Sequence, residues 1–122
     1  MGNNTMNPED MRIDFGKMGG IVPAIIQDWK TNDVLMLGFM NSRAWRKTLA
    51  SGRVWFWSRA RNRLWMKGET SGNFQIVKSA WVDCDSDTLL IKVEQKGSGA
   101  CHNGGPSCFY TKVRIPGRKR DL

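Results

Sequence analysis

No stretch of the 122 residues approaches the ~18 consecutive apolar residues that a membrane-spanning helix needs, so no membrane segment is expected. The opening residues, MGNNTMNPEDMRIDFGKMGG, lack a basic start followed by an apolar run, and no secretory signal is expected. Met6 stands where a myristoylation signal requires Ser or Thr. Cysteine is scarce and odd in number: three thiols cannot all pair within one chain, and reduced thiols in the cytoplasm, available for metal or catalysis, are the expectation. No CxxC spacing offers the usual framework of a closed zinc site. The phosphate loop GxxxxGK[ST], GxGxxG and GxSxG are absent as well. Histidine occurs once, as His102.

What remains is a globular composition, 40% apolar and 25% charged, which argues against wholesale disorder. The length fits one domain that buries roughly two-thirds of the surface its unfolded chain exposes, without disulfide support. The net charge of +8 is localised. Arg53, Arg59, Arg61, Arg63 and Lys67 stand in 53–67 with no acid among them, and Lys112, Arg114, Arg118, Lys119 and Arg120 crowd the C-terminal tail. Basic patches of this kind attract phosphates. The plainer alternative is a solvated face and, for 111–122, a frayed end.

The pattern predicts a mainly β (α+β) fold. Residues 1–18 read as a polar, flexible arm, 19–110 as the folded domain and 111–122 as the basic C-terminal tail. Ile21–Ile26 and Val34–Met40 are short β-branched or apolar runs separated by the turn-forming DWKTND, hence a hairpin. Pro23 points to an edge or to the start of its strand. Asn41-Ser42 caps one clear helix near 42–51, with Ala44, Trp45, Thr48 and Leu49 at helical spacing and Gly52 closing it. Val54–Ser58, Phe74–Val82 and Thr88–Val93 read as further strands, the last two joined by a tight Asp-Ser-Asp connection. Most of the six tryptophans are expected in the core, with Trp55 and Trp57 on one strand face.

Two segments carry chemistry. Cys84 is flanked by Asp83 and Asp85, with Asp87 following, while Cys101 and Cys108 sit in CHNGGPSC around His102. Thiolates suit zinc and clustered carboxylates suit magnesium. Three cysteines leave one tetrahedral position open, where a catalytic zinc holds water. His102 is the alternative fourth ligand, although its adjacency to Cys101 makes joint ligation awkward. In extended backbone, Asp83 and Asp85 would point one way and Cys84 the other. The plainer alternatives are buried thiols and turn-forming carboxylates. The second segment, SRARNRLWMKGETSGN over 58–73, places Arg59, Arg63 and Lys67 beside Gly68 and Gly72, which bracket Glu69, Thr70 and Ser71. Its amides and cations suit an anion, and Trp65 suits a base. Trp/Arg interleaving in WFWSRARNRLW also suits a basic protein that binds single-stranded nucleic acid and carries a structural zinc. That alternative leaves DCDSD unexplained, because metal-free carboxylates repel phosphates.

GIVPAIIQD (20–28), VLMLGFMN (34–41), GRVWFWSRARNRLWMKGETSGN (52–73), DCDSDTLL (83–90) and ACHNGGPSCF (100–109) together resemble the phosphoribosyl-AMP cyclohydrolase family. The resemblance implies an intertwined homodimer in the cytoplasm that hydrolyses the N1–C6 bond of the adenine ring of N1-(5-phosphoribosyl)-AMP, by zinc-activated water, in histidine biosynthesis. It implies zinc (Zn2+) held by Cys84 of one subunit and Cys101 and Cys108 of the other, and magnesium (Mg2+) held by Asp83, Asp85 and Asp87. The substrate is then a small phosphoribosyl nucleotide, with no nucleic acid and no membrane as partner. Arg59, Arg63, Trp65, Lys67, Glu69 and Ser71 are the expected substrate contacts, and His102 is the expected proton shuttle. Three departures stand out: Gly99 where the family often has Pro, Met66 where Thr is common, and Trp57 where Phe is common. Some relatives carry a C-terminal pyrophosphohydrolase domain. That second activity is expected to be absent here and, where used, to come from a separate partner.

Overall fold

Alternation of apolar residues builds the centre of the molecule. In the computed structural model, which describes residues 5–8 and 11–117, Val22, Ala24 and Ile26 of strand β1 (Val22–Asp28) are fully buried. So are Leu89, Ile91 and Val93 of β6 (Leu89–Gln95). These two period-2 faces lie side by side, because β1 and β6 pair in parallel from Ala24↔Leu89 to Asp28↔Val93. β2 (Val34–Met40) and β5 (Gln75–Val82) flank them antiparallel, giving the order β2-β1-β6-β5. Pro23 pairs with Phe39 but precedes the first β6 partner, so a missing amide in an interior strand costs no ladder bond there.

Helix α1 (Ser42–Ser51) begins where Asn41 Oδ1 accepts from the Ala44 amide at 2.9 Å and ends at Gly52 in the left-handed region, as the capping pattern predicts. It buries Ala44, Trp45 and Thr48, with Thr48 Oγ1 accepting from the Trp55 amide at 3.0 Å, whereas Leu49 is 40% exposed.

Three elements differ from expectation. Within 58–73, to which the pattern assigns no element beyond Ser58, Arg63–Met66 forms β4, paired antiparallel with β3 (Trp55–Ser58) as a separate ribbon. Its charges hide a strand whose apolar members, Leu64 and Trp65, pack on the core. The aromatic at the heart of that ribbon is Phe56, 1% exposed and against Trp65, with Trp55 and Trp57 turned the other way and only half-buried. Of the six tryptophans only Trp45 is fully in the core, since indoles are large and carry a polar N–H. In the segment read as a flexible arm, Met11, Ile13 and Phe15 pack on the core, and a 3-10 turn covers Phe15–Met18. The Asp14 amide donates to Ser86 O at 2.7 Å, tying this segment to the β5–β6 connection. Residues 1–4, 9–10 and 118–122, with most of the basic tail's charge, lie outside the described residues.

Candidate active site

The β5–β6 connection organises the first cluster. Asp83 Oδ1 accepts from the amides of Asp87 (3.0 Å) and Thr88 (3.1 Å), and Ser86 takes a positive φ of 64°. The backbone therefore turns, as the tight Asp-Ser-Asp connection predicts, and the two-faced arrangement that extended backbone would give to 83–85 does not form. The three carboxylates converge nonetheless, with one oxygen from each of Asp83, Asp85 and Asp87 within 4.8 Å of the others. Desolvation works against the Asp83 anion, but the amides of Asp87 and Thr88 outweigh it and hold its carboxyl below the usual range. Asp85 is pushed up, by its hydrogen bond with Asp87 first, then by desolvation and Asp83. A cation relieves this crowding, and three hard oxygen donors are the kind of group that could hold a divalent ion such as magnesium.

Cys101 and Cys108 lie together in the second cluster. Gly104 N donates to Cys101 O (2.8 Å) and Cys101 N to Gly105 O (3.1 Å), closing a tight loop. Cys108 N then donates to Leu35 O (2.8 Å) and Ser107 Oγ to Val34 O (2.8 Å), seating the loop on the start of β2. Gly99, one of the family departures, has φ 139°, and a Cβ there would come within 2.3 Å of Gly105 O. Proline's fixed φ near −65° cannot adopt that backbone. Burial raises the Cys108 thiol's pKa, the neighbouring Cys101 adds to the rise, and Lys67 opposes it. His102, beside buried Cys101, is exposed.

The third feature is a cleft of about 420 Å³ lined by Arg61, Arg63, Trp65, Lys67, Glu69 and Ser71, among others. Its size suits a small ligand. Arg63 Nη2 meets Glu69 Oε1 at 2.7 Å, so Glu69 takes up Arg63's charge. Gly68, buried at φ 89°, would drive a Cβ to 2.6 Å from the backbone of Asn73 and Phe74, which explains the glycine. Arg59 does not line this cleft. Its guanidinium stacks 4.1 Å from the centre of the Phe39 ring. Arg61 lines the cleft instead, and only its place in the basic segment hinted at that role.

Strand register places these features relative to one another. β5 starts at Gln75 opposite Gln95 and ends at Val82 opposite Leu89. Asp83, Cys84, Asp85 and Asp87 follow its end. The Gly68–Asn73 loop precedes its start, held there by Lys96 N→Phe74 O (2.7 Å) and Ser98 N→Asn73 Oδ1 (3.0 Å). The Cys101/Cys108 loop sits on Leu35, and Val34 pairs with Gln27 next to the Asp28↔Val93 pair, at that same starting end. Eight strand residues rise roughly 25 Å. Within one chain, Cys84 is thus at one end of the β5–β6 hairpin and Cys101 with Cys108 at the other, and among the described residues the three thiols form no common group. Cys84 opens instead into a groove of about 710 Å³ walled by Met11, Trp45, Leu49 and Trp81.

Comparison with known proteins bears on this arrangement. The family model described as phosphoribosyl-AMP cyclohydrolase matches residues 36–110. A protein of Syntrophotalea carbinolica named phosphoribosyl-AMP cyclohydrolase is 56% identical over 102 residues, covering 84% of this chain and 82% of its own length. One from Geobacter sulfurreducens with the same name is 57% identical over 100 residues, covering 82% and 80%. Another, from Streptococcus mutans, is 53% identical over 107 residues, covering 88% and 97%.

Proposed function

Because the chain belongs to the phosphoribosyl-AMP cyclohydrolase family, we propose that it hydrolyses the N1–C6 bond of N1-(5-phosphoribosyl)-AMP in histidine biosynthesis, at a centre assembled from two copies of the chain. The observation that carries the reading is the shared location of the cleft and the thiol pair. Lys67 lines the cleft, and the Gly68–Asn73 loop that continues it lies at the same end of the sheet as the loop holding Cys101 and Cys108.

The substrate has two phosphate monoesters and an adenine ring made electrophilic at C6 by N1 ribosylation. Arg61, Lys67 and the amides of 68–71 receive phosphate, while Glu69 fixes the Arg63 guanidinium. Trp65 offers a ring face to the base. Zinc held by Cys101 and Cys108 of one copy and Cys84 of the other would supply water of lowered pKa. Water adds its oxygen to C6, the C6–N1 pair of electrons returns to N1, and C6 keeps its exocyclic nitrogen as a carboxamide. His102, exposed beside Cys101, carries the proton from the adding water to N1. Asp83, Asp85 and Asp87 would hold magnesium.

Chemistry and apolar surface both support a dimer. Three thiolates at two ends of one hairpin need a second copy to meet. The groove at Cys84 is apolar, and the segment after Cys108 exposes Phe109, Tyr110, Val113 and Ile115, at 67%, 69%, 71% and 51%. That segment of one copy, laid in the other's groove, brings Cys101 and Cys108 to Cys84.

Turnover of N1-(5-phosphoribosyl)-AMP, followed by ultraviolet absorbance, tests the reading. Activity should vanish with a chelator and return with zinc. His102→Ala should lower the rate by about a hundredfold or more while keeping its zinc. A folded, zinc-loaded protein that leaves this substrate unchanged would overturn the assignment.

A further inference from the structure

The carboxylate cluster already holds a cation of the chain's own. Lys17 Nζ lies 3.4 Å from Asp87 Oδ2 and 3.6 Å from Asp85 Oδ2, and donates to Asp85 O at 3.0 Å. This is not a loose lysine that happens to reach the turn. Asp14 N is bonded to Ser86 O, Asp14 Oδ1 caps the 3-10 turn at the Gly16 amide (3.1 Å), and Gly20 N closes on Phe15 O (2.7 Å). Phe15 is anchored on the core. The turn that carries Lys17 is thereby closed on itself and tied to the β5–β6 connection, with the ammonium against Asp85 and Asp87.

A divalent cation draws the same oxygens to 2.0–2.6 Å. An ammonium 3.4–3.6 Å from oxygens of two of the three carboxylates competes with it for the same negative charge. We propose that Lys17 is a built-in counter-ion that occupies the Asp83/Asp85/Asp87 site and must swing out for a divalent cation to bind. The inference rests on the reading of those aspartates as a cation site. Only the side chain has to move: Lys17 is 41% exposed and reaches solvent without breaking the Asp14–Ser86 bond. The lysine keeps the carboxylates from repelling one another before metal arrives, and it sets the cation concentration at which the site fills.

Calorimetric titration of the zinc-loaded full-length protein with Mg2+ separates the possibilities. Lys17→Met should bind Mg2+ roughly threefold to tenfold more tightly than wild type, the range for removing competing ion pairs open to solvent. Lys17→Arg, which keeps the charge, should stay close to wild type. In the wild type, labelling of Lys17 by an amine-selective reagent, mapped by mass spectrometry, should rise when Mg2+ is added. Equal or weaker binding by Lys17→Met, or labelling that does not rise although Mg2+ binds, overturns the role of Lys17 and leaves the cation site standing. Absence of Mg2+ binding in wild type and variants alike overturns the cation site, and this inference with it.

Discussion

Arg59 and Arg61 stand two positions apart and serve different surfaces. Both lie in the β3–β4 turn, where the alternation of a strand no longer applies. Arg59 covers Phe39, while Arg61 faces the cleft. Arg61→Ala should therefore raise KM at least about tenfold, the loss expected for one charge-assisted phosphate contact. Arg59→Ala should leave KM near wild type and show its effect in thermal unfolding instead. Steady-state kinetics on the two variants checks this directly, and equal KM effects would contradict it. Residue types were legible in the sequence: the cations, the thiols and the three aspartates are named by chemistry alone. Their facing was not, because turns at 59–62 and 83–88 set side-chain direction through hydrogen bonds such as those of Asp83 Oδ1. Lys17 carried no signal at all, since its partners lie about seventy positions away.

At the scale of elements, strong local signals survived intact and weak ones did not. The β1–β2 hairpin, the helix and the two strands around DCDSD follow period and caps. The helix is short, ten residues, and begins with no acidic residue in its first turn, so its N-terminus depends on Asn41. Asn41→Ala should cost about 1 kcal/mol in chemical denaturation. An unchanged midpoint would show that burial of Trp45 and Thr48 carries the helix alone. β4 escaped detection because only four residues long, with Arg63 at its start, it shows too little alternation to outweigh the charge around it. The 11–18 segment escaped for a related reason. Met11, Ile13 and Phe15 alternate, but among polar neighbours, and their partners on the core are distant in sequence. Tertiary packing decides both segments.

At the scale of the whole molecule, the hairpin of β5 and β6 acts as a spacer. It sets the aspartates and Cys84 at one end and the cleft with Cys101 and Cys108 at the other. On the proposed reading, neither end alone holds the full set of groups for ring hydrolysis. In the proposed dimer, two copies related by a two-fold axis with antiparallel hairpins would bring each end of one chain to the opposite end of its partner, giving a symmetric pair two complete centres. Spacing in the sequence could not show this separation. Cys84 and Cys101 are only seventeen positions apart, and strand pairing alone sends the chain away from the first before the loop holding the second. The basic patch over 53–67 gains a use in the same arrangement. Its Arg61 and Lys67 belong to the cleft, at the same end of the sheet as Cys101 and Cys108, which in the proposed dimer would meet the partner's Cys84.

Complementation between inactive variants tests that account most directly. Cys84→Ala and Cys108→Ala should each be inactive toward N1-(5-phosphoribosyl)-AMP. When they are unfolded together and refolded as a mixture, half of the pairs should be mixed, and each mixed pair should have one intact centre. About a quarter of wild-type activity should return, with zinc in proportion. A mixture as inactive as its components, or a single variant that keeps full activity, would contradict a centre built from two chains.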